Sequence, residues 1–386
     1  MITVVAVRMQ ILTILTFYVP IIPRLKKILQ AAQAYHFENC SLRTSTIRIH
    51  NNLTRLSAKY FRELKSRSNQ GESMKHIAVI GSGLIGRAWS IVFARAKLQV
   101  YLFDNDKAAA YRAMKQIEQG LVDLKKYNLV DEDVSDILAR IVVCESMERA
   151  VANADYVQEN TSESIETKQK VFGALDLCAP GHCILASSTS TIRTSLFSEH
   201  LARRNRCLVA HPVNPPHIVP IVEISPASWT DSTVIEKTYE LQKSVGQVPI
   251  LVKKEVPGFI LNRLQAALLR EAWRLIDEDY VSVEDLDKTV KDGLGLRWSF
   301  MGPFETIDLN APGGIADYAA RFGSAYAQMM SGIQHPTWDG ALLEKIETQR
   351  RNILPFSRHN EKESWRDRRL MELIAHKKAR RPSEEG

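Results

Sequence analysis

From residue 75 onward, short apolar runs alternate with longer stretches in which apolar residues recur at helical spacing. The short runs cover 76–80, 100–103, 141–143, 156–158, 184–186, 207–210, 221–224 and 248–252. Continuous apolar runs of this length, separated by helical segments, predict strands buried on both faces. The first six are therefore expected in one parallel sheet with helices on either side. Between the fourth and fifth, 165–178 has helical periodicity and stops at Pro180-Gly181. The pattern changes at Pro257-Gly258, where a long helix over 259–276 has no strand after it. Ser282 with Asp285 forms a capping box that opens a further helix, expected to stop near Gly293. An α/β domain over 74–256 followed by an all-α domain over 257–386 is the expected architecture, with the change near Glu255. The charged residues from 377 onward are expected to fray.

Charge changes this picture mainly at the amino end. Of the formal net charge of +7, residues 1–73 carry +8, from eleven Lys or Arg and three Glu, which leaves −1 for the rest. A nearly neutral body argues against nucleic-acid binding, because phosphate contacts need clustered cations. Residues 1–22 are apolar apart from Arg8, and a basic stretch at 23–27 follows. Arg8 and Pro20 make this a poor membrane span. Residues 31–73 are basic, rich in Ser and Thr and poor in acids, a composition like that of a mitochondrial transit segment. A third reading, favoured here, makes 1–73 a gene-model extension of an enzyme whose first strand begins directly after Met74. A cytoplasmic enzyme is expected on that reading, and a mitochondrial one if 1–73 is a real leader. The five cysteines form no Cys-x-x-Cys pair and no zinc-ligand spacing, so free thiols and no metal are expected.

Chemistry enters first at the end of the opening strand. Gly81-Ser82-Gly83-Leu84-Ile85-Gly86 follows 76–80, opens a helix and precedes a second strand that ends at Asp104. In that context the glycines read as a Rossmann-type dinucleotide turn. Gly81 allows the turn, Gly83 lets a pyrophosphate approach the backbone, and Gly86 lets helix and strand pack closely. Free N–H groups at the helix start, at Leu84, Ile85 and Gly86, then face the phosphates. A carboxylate at Asp104 accepts hydrogen bonds from ribose hydroxyls and repels a 2′-phosphate, which favours NAD over NADP. A second segment ends the run at 207–210 with His211-Pro212-Val213-Asn214-Pro215-Pro216, and Glu223 lies twelve residues after the histidine. An imidazole at a strand end suits proton transfer near neutral pH. A carboxylate on its other nitrogen would orient it and stabilise the imidazolium. From spacing alone, a structural histidine is the default reading.

These blocks belong to a longer ordered series. It continues with Ser187-Ser188-Thr189-Ser190, Glu255-Val256-Pro257-Gly258-Phe259-Ile260-Leu261-Asn262-Arg263, Gly293-Leu294-Gly295-Leu296-Arg297 and Gly302-Pro303-Phe304-Glu305-Thr306. The series resembles the 3-hydroxyacyl-CoA dehydrogenase superfamily over 75 to about 375, and within it the lambda-crystallin branch, whose members act as L-gulonate 3-dehydrogenases. The resemblance implies a general base at His211 with Glu223 as its partner. It implies Ser190 and Asn262 on the reacting oxygen, cofactor contacts at Asp104, Glu163 and Lys168, and Asn214 beside the nicotinamide carboxamide. It also implies a homodimer formed through the helical domain, whose segment 259–276 is apolar on most sides.

The substrate turns on Arg297, which acyl-CoA members of the superfamily lack and the lambda-crystallin branch has. A guanidinium binds a free carboxylate bidentately, which a thioester cannot match. Three readings follow. The first is NAD-dependent oxidation of a small free 3-hydroxy acid, L-gulonate to 3-dehydro-L-gulonate. The second is a 3-hydroxyacyl-CoA dehydrogenase of fatty-acid oxidation. The third is a non-catalytic, crystallin-like structural protein, against which His211, Glu223, Ser190 and Asn262 all weigh.

Overall fold

The computed structural model describes residues 74–329 and 340–379. The reading of 1–73 as an extension or leader lies outside them. Eight strands form one sheet: β1 His76–Ile80, β2 Gln99–Phe103, β3 Ile141–Val143, β4 Tyr156–Glu159, β5 Ile184–Ser187, β6 Cys207–Pro212, β7 Ile221–Pro226 and β8 Val248–Leu251. Their order is β3-β2-β1-β4-β5-β6-β7-β8. The first six run parallel, as the uninterrupted apolar runs predict, and β7 turns back antiparallel to β6 with β8 parallel to it. Strand order reverses between β1 and β4, so a crevice opens there at the carboxyl ends of the strands.

The longer helices are α1 Leu84–Arg95, α2 Lys107–Lys126, α3 Ile165–Cys178, α4 Ser232–Ser244, α5 Leu261–Asp277, α6 Gly314–Met329, α7 Gly340–Ile353 and α8 His359–Ala379. The two-residue period of the strands divides the core between the two faces of the sheet. Ile77 and Val79 of β1 join one cluster with Trp89 and Phe93 of α1, Ile117 and Leu121 of α2, and Val234 and Leu241 of α4. Ala78 and Ile80 join the other, with Phe172 and Leu175 of α3. Met371 of α8, only 3% exposed, returns to the first cluster from the far end of the chain.

Beyond Leu261 no described residue is in a strand. Ser282 caps the short helix Val283–Lys288 by accepting from the Asp285 amide at 3.1 Å. That helix does not stop near Gly293. It widens into a π-helix over Thr289–Leu294 and continues as Gly295–Trp298. Gly295 permits the wide turn, since a Cβ there would lie 2.9 Å from the Val290 carbonyl oxygen. The long helix is less enclosed than its composition suggests: α5 buries only Ala272 and Ile276, and α6 buries nothing.

Candidate active site

The strand register sets Ile80, Glu159, Ser187 and Val209 in one row across β1, β4, β5 and β6. The nucleotide turn, the loops after β4 and β5, and His211 all leave the sheet from this edge. In the turn, Gly81 has φ +93° and a Cβ there would sit 2.7 Å from the Asn160 carbonyl oxygen. A Cβ on Gly86 would lie 1.8 Å from the Gly81 carbonyl oxygen. Gly83 has open space within 4 Å, and it caps α1 with extended backbone and no side chain over the first amides. A smooth, open cradle at a helix N-terminus suits a pyrophosphate. Asp104 accepts from the Ser82 amide and hydroxyl at 2.7 and 2.8 Å, and from the Asp106 amide at 3.0 Å. It therefore stands beside the turn with a lone pair on Oδ1 left for a ribose hydroxyl. These residues fit a dinucleotide. Leu84 and Ile85 open the helix, with Leu84 half exposed.

His211 and Glu223 are direct cross-strand partners in β6 and β7, which is what a spacing of twelve becomes once the chain reverses. His211 Nδ1 lies 2.9 Å from Glu223 Oε2, and both side chains are almost wholly buried. Glu223 Oε1 accepts from the amides of Ile260 and Leu261 at 2.8 and 3.0 Å. Gly258 and Phe259, with φ of +74° and +49°, turn the chain so that these amides meet the carboxylate. The buried Phe259 ring packs on the imidazole at 5.4 Å between centroids. One carboxylate thus orients the histidine and ties down the start of α5, the helix that carries Asn262. Burial raises the Glu223 carboxyl, but the hydrogen bonds from His211, Leu261 and Ile260 outweigh it and hold the group below its ordinary value.

Asn262 Nδ2 donates to the Ser190 carbonyl oxygen at 2.9 Å, so the helical segment grips the loop after β5. Ser190 is exposed, and its hydroxyl makes no hydrogen bond with a described residue. Glu163 Oε1 fixes the same loop, accepting from Thr189 Oγ1 at 2.6 Å and from the Ser190 and Thr191 amides at 2.9 Å. Lys168 is not paired with Glu163. Its ammonium, 1% exposed, sits 3.0 and 3.1 Å from the Glu159 carboxylate, which also accepts from Ser187 Oγ and Thr161. The buried ammonium ties α3 to the end of β4 through Glu159. Asn214 is exposed at a cis peptide bond with Pro215. Arg297 is exposed on Gly295–Trp298 and makes no hydrogen bond or ion pair with His211, Ser190 or Asn262.

Sequence reasoning missed Glu159 and a polar hub beside it. Ser188 Oγ accepts from Trp89 Nε1 at 3.0 Å and Gln158 Nε2 at 2.7 Å, and donates to Asn160 Oδ1 at 2.7 Å. Gln158 also donates to the Ala210 carbonyl oxygen at 3.2 Å, next to the histidine. Their one signal was a polar pair, Gln158-Glu159, closing an otherwise apolar strand.

Residues 76–256 match the model of the 3-hydroxyacyl-CoA dehydrogenase NAD-binding domain, and 258–352 match that of the C-terminal domain. The chain belongs to the 3-hydroxyacyl-CoA dehydrogenase family. It is 40% identical to a lambda-crystallin homolog of Bos taurus over 302 residues, 77% of this chain and 94% of that protein. It is 32% identical to an L-carnitine dehydrogenase of Streptomyces griseus, over 71% of this chain and 82% of the relative. Among solved structures, an NAD+-dependent 5-formyl-3-hydroxy-2-methylpyridine 4-carboxylic acid 5-dehydrogenase superposes with a TM-score of 0.70 at 28% identity, covering 80% of this chain and all of that one. The protein is an NAD-dependent oxidoreductase of this family. Among the described residues no helix is long and apolar enough to cross a membrane, and no cluster of side chains could hold a metal.

Proposed function

We propose that the enzyme oxidises a small free 3-hydroxy acid, L-gulonate to 3-dehydro-L-gulonate, with His211 as general base and Glu223 as its positioning partner. The observation that carries this reading is the buried His211–Glu223 contact of 2.9 Å, locked to the start of α5 by two backbone amides. His211 Nε2 has no hydrogen-bond partner among the described residues and is available to the substrate hydroxyl. Asp104 and the turn at Gly81, Gly83 and Gly86 would hold NAD, which would supply the hydride acceptor for C3. His211 takes the hydroxyl proton as the C3–O bond becomes a carbonyl, and Glu223 stabilises the imidazolium that results. Ser190 and Asn262 hold the reacting oxygen.

Similarity to the lambda-crystallin homolog and to an enzyme named for L-carnitine, itself a free 3-hydroxy acid, supports a carboxylate over a thioester. We assign the carboxylate to Arg297, whose guanidinium has no ion pair with a described residue. The family models, named for 3-hydroxyacyl-CoA, favour the thioester as the second reading. Variants test the assignment. His211→Asn should cut kcat on L-gulonate by about 10²–10⁴-fold. Arg297→Ala should raise KM for L-gulonate at similar kcat. An unchanged KM would remove Arg297 from the site, and an unchanged kcat in His211→Asn would remove the general base. The protein acts as a homodimer in this proposal.

A further inference from the structure

At the amino ends of β5 and β6, on the sheet edge opposite the nucleotide turn, lies a cavity of about 370 Å³. Its size falls at the small end of ligand pockets, about 300–1,000 Å³. Gly181, His182, Arg203, Arg206, Asp231 and Lys237 are among its lining residues, and none of them enters the chemistry proposed above. Three observations point to an anion. First, Arg203, Arg206 and Lys237 converge on it against two carboxylates, the lining Asp231 and the Asp176 that both arginines share at 3.3 and 2.8 Å. Lys237 makes no ion pair with a described residue.

Second, the thirteen-residue helix α4 starts at this cavity, and its N-cap Asp231 caps no amide with its side chain. The Asp231 carboxylate is instead engaged by Asn205 Nδ2 at 2.6 Å. The positive end of the helix therefore lies at the cavity, which Thr233, whose amide has no backbone partner among the described residues, helps to line. Third, Arg206 is only 3% exposed, and Pro180, Cys183 and Asp176 hold its Nη atoms, so its guanidinium is a fixed positive charge in the cavity wall.

We propose that this cavity binds a phosphate group, either as free inorganic phosphate or as the phosphate of a small monoester. A guanidinium, an ammonium and helix amides arriving from different elements suit a tetrahedral, multiply charged acceptor. The cavity is separate from the pyrophosphate cradle, so it can be read with that cradle filled. In the full-length enzyme saturated with NADH, titration calorimetry at constant ionic strength should show one saturable site for inorganic phosphate or for glucose 6-phosphate. Tighter binding of the ester identifies a phosphorylated metabolite as the ligand, and equal or tighter binding of phosphate identifies the free ion. Lys237→Glu, at an exposed position, should weaken that site about tenfold or more without changing NADH affinity. Arg203→Gln should do the same. No saturable site in the wild type, or undiminished binding in both variants, would overturn the proposal.

Discussion

Glu223 joins two tasks that sequence spacing could not connect, orienting an imidazole and anchoring a helix. Glu223→Gln keeps an acceptor for the Ile260 and Leu261 amides but loses the charge opposite His211. It should lower kcat by about 10²-fold or more while the fold survives, as steady-state kinetics and circular dichroism would show. The depressed carboxyl also makes a pH prediction. A folded-state pKa below the ordinary 4.5 means the unfolded chain binds this proton more tightly. The stabilisation is thus complete above 4.5 and is lost as pH falls through the depressed value. Urea unfolding should show the wild type losing its advantage over Glu223→Gln below pH 4.5, and a constant difference across pH 3–7 would contradict this. At this scale the sequence was legible for position, since His211 and Asp104 stand at strand ends as the apolar runs predict. It was not legible for Lys168, whose Glu159 partner belongs to the preceding strand and whose burial no local pattern announces.

The turn between β1 and α1 separates packing from binding. Gly86→Ala would force a Cβ to 1.8 Å from backbone and should destabilise the protein by about 1–3 kcal/mol or more. Gly83→Ala meets nothing within 4 Å, so it should leave the unfolding midpoint unchanged and weaken NADH binding in fluorescence titration. Equal effects on both quantities would refute the division of roles. Lys168→Met should act on stability, by about 3–5 kcal/mol, because it leaves Glu159 buried and uncompensated. The strands were easily read because both sheet faces are buried, which makes apolar runs unbroken. The helices after Leu261 were harder, because a widened turn follows from backbone geometry around Gly295 that periodicity does not encode.

For the whole molecule, the exposed apolar side chains concentrate in the helical segment: Leu264, Phe300, Phe304, Leu309, Met329 and Phe356 are each 64–72% exposed. Such a surface fits an interface between two copies better than free solvent. Sedimentation at micromolar concentration should give a dimer, and a monomer would count against the homodimer. The reaction proposed for the enzyme is transfer of hydride from a free 3-hydroxy acid to NAD. Its most direct test is NADH formation by the full-length enzyme with L-gulonate, 3-hydroxybutyrate and 3-hydroxybutyryl-CoA, compared as kcat/KM. L-gulonate should give the highest value, abolished in His211→Asn. A preference for the acyl-CoA, or no NADH from any of the three, would contradict it.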